Sequence, residues 1–149
     1  MGSDPHYPPQ PEKIVLDTNI VLDLYVFNDP TTIALRNVLA SRQLNWLATP
    51  PMREELERVL AYPQSVISLM YHQTDAAAVL AQFDAHCATV VVAPKASVTC
   101  KDPDDQKFID LAVAHRACLL SKDRAVLCMR KRLAALAVRA QAAINFDAC

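Results

Sequence analysis

Glycine is almost missing from this chain: Gly2 is the single one in 149 residues, where roughly 7% is usual. Phosphate-cradling loops need several glycines at fixed spacing. A P-loop and a dinucleotide-binding fingerprint are therefore excluded. Left-handed turns must fall to other residues, and Asn and Asp are the expected substitutes. Cysteines at metal-binding spacing are missing too. Cys87, Cys100, Cys118, Cys128 and Cys149 are odd in number and form no C-x-x-C pair. That argues against a disulfide framework and a zinc knuckle, and for reduced, mostly buried thiols in a cytoplasm. His6, His72, His86 and His115 show no ligand spacing. No apolar run approaches the roughly 18 residues of a membrane span, and the polar N-terminus does not read as a signal peptide. An excess of one charge is also lacking. A net charge of -1 and a pI of about 6.4 exclude a uniformly basic nucleic-acid binder but leave room for a locally basic groove.

What is present is the composition of one ordinary globular domain: 52% hydrophobic and 21% charged residues. Residues 1–12 hold Pro5, Pro8, Pro9 and Pro11 with no apolar periodicity. They read as a disordered leader or tag remnant, which leaves 13–149 as the folded domain. Short apolar runs at 14–16, 44–48, 89–93 and 118–120, and a last one near 137–138, read as strands. Helical patterns stand between them. Ile20 to Phe27 starts a helix or turn, and Thr31 or Thr32 caps a helix to Ser41. Thr49 caps one to Ala61 with Pro50 at its first position. A short helix covers 66–71, and Thr74 caps another to His86. Asp102-Pro103 opens a helix to Arg116, one helix runs from Arg124 to Ala135, and a terminal turn or helix extends through Phe146. Continuously apolar strands alternating with helices predict an α/β fold, a single-domain α/β/α sandwich with a mainly parallel sheet. Ligands in such sheets bind at the carboxyl ends of the strands.

Acids occupy those ends. Asp17 follows Ile14-Val15-Leu16, and Asp123 follows Leu119-Leu120-Ser121-Lys122. Each also suits a helix cap. On the helix after Thr49, Met52, Leu56, Val59 and Leu60 form an apolar stripe at about 100° per residue. Glu55 falls at its edge and Glu54 opposite it. Asp102 reads as a cap and Asp104 as a first-turn charge, whereas Asp105 shares the buried face of Phe108, Ile109 and Ala112, and Asp110 points to water. Carboxylates gathered at one end of a sheet raise one another's pKa, and a divalent cation removes that penalty. All-oxygen ligation suits Mg²⁺ or Mn²⁺, ions used in phosphoryl chemistry.

The blocks Lys13 to Asn19 (KIVLDTN), Thr49 to Leu56 (TPPMREEL), Asp102 to Ala112 (DPDDQKFIDLA) and Leu119 to Leu127 (LLSKDRAVL) resemble the motif blocks of PIN-domain ribonucleases. The likeness is greatest to the toxin components of toxin–antitoxin systems, and it spans Lys13 to about Phe146. It implies a PIN-like sheet and metal-dependent hydrolysis of RNA by in-line attack of an activated water on a phosphodiester. It also implies an acidic quartet of Asp17, Glu55, Asp105 and Asp123 that is catalytic and holds the metal. Asn19 and Ser121 would support it. Lys122 stands where the family often has Gly, and there it either contacts RNA phosphate or weakens metal binding.

Lys122, Arg124, Arg130, Lys131, Arg132 and Arg139 offer local positive charge for RNA, with Lys122 and Arg124 nearest the acids, or else form a solvated face. The Ala-rich, apolar helices suit a homodimer or an antitoxin-binding groove. Two other readings use the same residues. One is a phosphatase with Asp17 as nucleophile, for which the residue two positions on is Asn19 rather than an acid. The other is a non-catalytic PIN-like interaction scaffold, against which the complete quartet argues.

Overall fold

A computed structural model describes residues 12–143. The expected leader, apart from Glu12, and the part of the expected terminal turn beyond 143 lie outside the described residues. Glu12 itself opens the first strand, so the folded part starts one residue earlier than the proline pattern indicates.

A five-stranded parallel sheet forms the centre, in the order β3-β2-β1-β4-β5. Its strands are β1 (Glu12–Leu16), β2 (Leu44–Ala48), β3 (Cys87–Thr89), β4 (Cys118–Leu120) and β5 (Ala140–Gln141). The helices flanking them are α1 (Thr18–Tyr25), α2 (Ile33–Ala40), α3 (Pro50–Leu60), α4 (Pro63–Tyr71), α5 (Ala76–His86), α6 (Gln106–His115), α7 (Arg124–Leu127) and α8 (Arg130–Ala134), with 3-10 turns at Pro30–Thr32 and Pro103–Asp105. This is the expected α/β/α sandwich. Strand order explains where its site lies. The chain runs outward from β1 to β2 and β3, then returns to the other side of β1 as β4. The β1/β4 boundary is a topological switch point, where the loops leaving two neighbouring strands part and open a crevice.

Burial drives the arrangement. Ile14, Val15, Leu119 and Leu120 are completely or almost completely buried in the central strands, as are Ile109 and Leu111 of α6 and Leu56 and Leu60 of α3. Trp46 on β2 packs edge-on against Phe83 of α5, with ring centroids 5.1 Å apart. α6 lies on β1 and β4, while α3 rests on α1 and α5.

Several local expectations are corrected. The apolar run 89–93 is not a strand beyond Thr89. The Val90 N–H still reaches Ala48 O at 2.8 Å, but β2 ends there as the chain turns into α3. Pro50 and Pro51 offer no N–H to prolong the ladder, and Val91 and Val92 are exposed. The last strand begins at Ala140, not near 137. Ala137 has φ 64°, a left-handed geometry that ends the preceding helix, and the Val138 N–H closes back on Leu133 O. The single helix expected from 124 to 135 is two, broken at Cys128 and Met129, which lets Val126, Met129 and Leu133 all reach the core. Asp75, not Thr74, caps α5, and Thr49 and Thr32 make no side-chain cap bond. Positive φ is carried by Asn28, Arg42, Gln73, Arg116 and Ala137. Asn therefore serves at one such turn, and the others stand in for glycine at a cost of roughly 1–2 kcal/mol per residue.

Candidate active site

Asp17 continues β1 by one ladder bond, its N–H donating to Leu120 O at 3.0 Å. Its side chain then does two things. Oδ1 accepts the Asn19 N–H at 3.1 Å, capping α1, and Oδ2 accepts the Ser121 hydroxyl at 2.6 Å. Ser121 is fully buried and also bonds the Asp123 N–H through its Oγ at 3.0 Å. Asp123 in turn caps α7, accepting the Ala125 N–H at 2.9 Å. The cap and site readings of Asp17 and Asp123 are thus compatible, because a carboxylate that accepts one backbone bond keeps further lone pairs for a cation.

Asp105 arrives from the opposite direction. The 3-10 turn before α6 begins at Asp102, whose side chain accepts the Asp104 N–H at 3.0 Å, and Asp105 ends that turn facing inward. The loop ahead of it is tied to α6. Asp110 accepts the Ala96 N–H at 2.9 Å and Gln106 Nε2 at 2.7 Å, and Gln106 Oε1 accepts the Cys100 N–H at 2.7 Å. Asp110 is therefore a half-buried brace rather than a solvated charge, a correction to the helical-wheel reading.

One carboxylate oxygen from each of Asp17, Asp105 and Asp123 lies within 4.8 Å of the others. Asp105 Oδ2 is buried and has no hydrogen-bond partner among the described residues. Burial, the hydrogen bond with Asp123 and the charges of Asp17, Asp123 and Asp102 push the Asp105 carboxyl up to about 8. Burial also raises the Asp17 carboxyl, opposed by the bonds from Ser121 and Asn19 and reinforced by the charges of Asp123 and Glu55. An orphaned buried oxygen in a crowd of mutually repelling carboxylates fits a hard divalent cation.

Glu55 is the quartet member that stands outside this group. It is half-buried at the edge of α3, as its helical position predicts, and Glu54 is exposed. Both of its oxygens are engaged. Thr18 Oγ1 donates to Oε2, and Lys107 Nζ pairs with Oε1 at 2.5 Å. Lys107 also donates to Asp104 O at 2.6 Å. Glu55 nevertheless lines, with Asp17 and Asp105, a cleft of about 220 Å³ beside the cluster.

Thr18 and Lys107 escaped the sequence reading. Their signals are positional: Thr18 follows Asp17 directly, and Lys107 lies two residues after Asp105 at the start of α6. Of the expected supporting residues, Ser121 holds Asp17 through its side chain, whereas Asn19 acts through its backbone and is exposed. Lys122 is paired with Asp23, a nearly buried acid of α1 outside the quartet. Arg124 is exposed at the start of α7 next to Asp123. Arg130, Lys131 and Arg132 are exposed on α8, while Arg139 lines a cleft with Lys13 and Cys118 at the opposite, amino-terminal end of the strands.

The model of the PIN domain family matches residues 13–125, most of the chain. The chain belongs to the PIN-domain family. That family consists mainly of nucleases. This PIN domain is also similar in fold to a chain in the crystal structure of VapBC2 from Rickettsia felis bound to a DNA fragment from their promoter. The TM-score is 0.59 at 13% identity, over 86% of this chain and 98% of the other. No curated protein matches it in sequence. Among the described residues of this PIN domain, no helix is long and apolar enough to cross a membrane.

Proposed function

We propose that this PIN domain is an endoribonuclease dependent on Mg²⁺ or Mn²⁺ and the toxin half of a toxin–antitoxin pair. The observation that carries the reading is the buried, unpartnered Asp105 Oδ2 inside the group formed with Asp17 and Asp123. Those three residues would hold the cation, with Glu55 beside them. When bound, the cation supplies neutralisation of phosphodiester charge and a lowered pKa for the attacking water.

The chain's own groups prepare that chemistry. Ser121 and the Asn19 N–H fix both oxygens of Asp17. The Ala125 N–H and the Ser121 hydroxyl fix Asp123 at its side chain and backbone. Burial and the neighbouring acids raise the Asp105 carboxyl, so it holds a proton that a bound cation would displace to solvent. Lys107 pairs with Glu55, which lowers the negative charge that the cleft wall presents to an approaching phosphate. Arg124 is exposed beside Asp123 and suits a phosphate contact, whereas Lys122 is held by Asp23 and acts on the loop rather than on RNA.

RNA as the substrate and the toxin role rest on the likeness of the four sequence blocks to PIN-domain toxins. The fold shared with a chain of VapBC2 supports the second point. An antitoxin or a second copy of the chain has a surface to cover: Val66, Ile67, Met70 and Tyr71 stand exposed on α4. Cytoplasmic residence agrees with the free thiols of Cys87, Cys100 and Cys128.

The test is cleavage of a panel of labelled RNAs, with single-stranded DNA as control, in Mg²⁺ or Mn²⁺ and in EDTA. Cleavage of RNA in the metal alone supports the proposal. An intact panel in both metals, with folded protein that also fails to bind Mn²⁺, overturns it in favour of the scaffold.

A further inference from the structure

The cleft beside the carboxylates extends past Glu55 to the last turn of α3 and the connection to α4, where Arg58 and Tyr62 line it. Arg58 follows Glu55 by three on α3, so these two share one edge of the helix, and Tyr62 stands just beyond its end, as the extended residue that leads into α4. Neither side chain is tied down by a polar contact among the described residues. Among the described residues, the Arg58 guanidinium makes no ion pair or side-chain hydrogen bond, although Glu54 and Glu57 are close in sequence. Among those residues the Tyr62 ring likewise has no ring or hydrogen-bond partner, and it is 46% exposed. Among the described residues, Arg58 is the one basic residue lining this cleft, against Asp17, Glu55, Asp104 and Asp105. A cation in the last turn of a helix is favoured by the dipole wherever its side chain points. That accounts for its presence in α3, but not for its place in the cleft beside an unpartnered aromatic ring.

We infer that Arg58 and Tyr62 form a nucleotide subsite for single-stranded polynucleotide, next to the scissile position: Arg58 takes a neighbouring phosphate and the Tyr62 ring stacks on its base. The inference rests on the nuclease reading and deepens it. A positive group that follows the backbone, paired with an aromatic ring that accepts any base, is the usual construction for binding single strands without sequence preference. The paired state of Glu55 matters here, because Lys107 removes the negative charge that lies between the acids and Arg58. A double helix keeps its bases stacked on one another and leaves no face for Tyr62, so the subsite selects unpaired strands.

The experiment measures anisotropy of a short fluorescein-labelled single-stranded RNA of mixed sequence, in Ca²⁺ with the RNA verified intact, for wild type, Arg58→Ala, Tyr62→Ala, Tyr62→Phe and Arg139→Ala. Steady-state cleavage in Mn²⁺ and elution volume on a sizing column accompany it. We expect Arg58→Ala and Tyr62→Ala each to weaken binding by about fivefold or more and to raise KM rather than lower kcat. Tyr62→Phe and Arg139→Ala should stay within about twofold of wild type, since stacking needs the ring and Arg139 is at the far end of the sheet. If wild type binds and cleaves RNA and the two alanine variants match it, the subsite is wrong while the nuclease reading stands. If Tyr62→Ala alters the elution volume and not the affinity, Tyr62 belongs to a protein interface with α4 and the subsite is overturned. If wild type neither binds nor cleaves, both readings fall together.

Discussion

The Ser121 hydroxyl donates to Asp17 Oδ2 at 2.6 Å, joining residues 104 positions apart at the ends of two neighbouring strands. The bond lies at the switch point of the sheet and has no solvent to replace it, since Ser121 is fully buried. It holds down the Asp17 carboxyl against the burial that raises it. Ser121→Ala should therefore cost about 1–3 kcal/mol of stability and weaken Mn²⁺ binding, because Asp17 then holds its proton more tightly. Ser121→Thr keeps the hydroxyl and should restore both. Chemical denaturation and calorimetric Mn²⁺ titration read the two effects separately.

Asp105 predicts how stability varies with pH. Its carboxyl is raised to about 8 in the fold against 3.8 for the free group. The proton is therefore bound more tightly in the folded state. The contribution is complete below about pH 4 and is lost as pH rises through about 8. In EDTA, wild type should lose stability over that window relative to Asp105→Asn, which has no proton to lose. The gap should widen with each pH unit across the window and be largest by about pH 8. Parallel thermal melts across the range check it, and equal slopes would contradict it.

The same proton links to the cation. An ion entering between Asp17, Asp105 and Asp123 must displace it, so apparent Mn²⁺ affinity should rise up to about tenfold per pH unit below about pH 8 and level off above. Titration calorimetry at pH 7 in two buffers of different ionisation enthalpy should show close to one proton released. Asp105→Asn should show none beyond its residual weak binding.

Glu55 separates two kinds of acid in the cleft. Its oxygens are held by Thr18 and Lys107, and it stands outside the three-carboxylate group. Glu55→Gln should lower Mn²⁺ affinity by less than about tenfold, whereas Asp17→Asn or Asp123→Asn should lower it by about a hundredfold or more, as expected for a wall residue and for ligands respectively. Lys107→Ala leaves a half-buried charge unpaired and should destabilise the fold by about 1–3 kcal/mol. Lys107→Arg should largely recover it.

Much of this site was legible in the sequence because strand ends and helix faces obey simple periods. Ile14-Val15-Leu16 before Asp17 and Leu119-Leu120 before Ser121 are buried runs with one possible role. The wheel of α3 separated Glu55 from Glu54 as the structure does. What stayed hidden depends on contacts between distant segments. That Lys107 would neutralise Glu55, across 52 residues, cannot be read from a helical wheel, and neither can the capture of Lys122 by Asp23. The Asp110 error has the same origin. Its outward face meets the 94–100 loop, whose Ala96 N–H needs an acceptor. At the edge of the sheet a local apolar run is not enough: Val91 and Val92 have strand-like side chains, but β2 ends at Ala48 and the prolines after it offer no N–H to continue the ladder.

The central claim is that Asp17, Asp105 and Asp123 form a cation-dependent centre for cutting RNA. Its most direct test is single-turnover cleavage of a labelled single-stranded RNA by EDTA-stripped protein, with Mn²⁺ then restored, comparing wild type with Asp17→Asn. The account predicts no cleavage before Mn²⁺ is restored, cleavage by wild type after it, and a loss of at least about a hundredfold in Asp17→Asn with its fold intact. Cleavage that persists in EDTA, or that survives in Asp17→Asn at the wild-type rate, would contradict it.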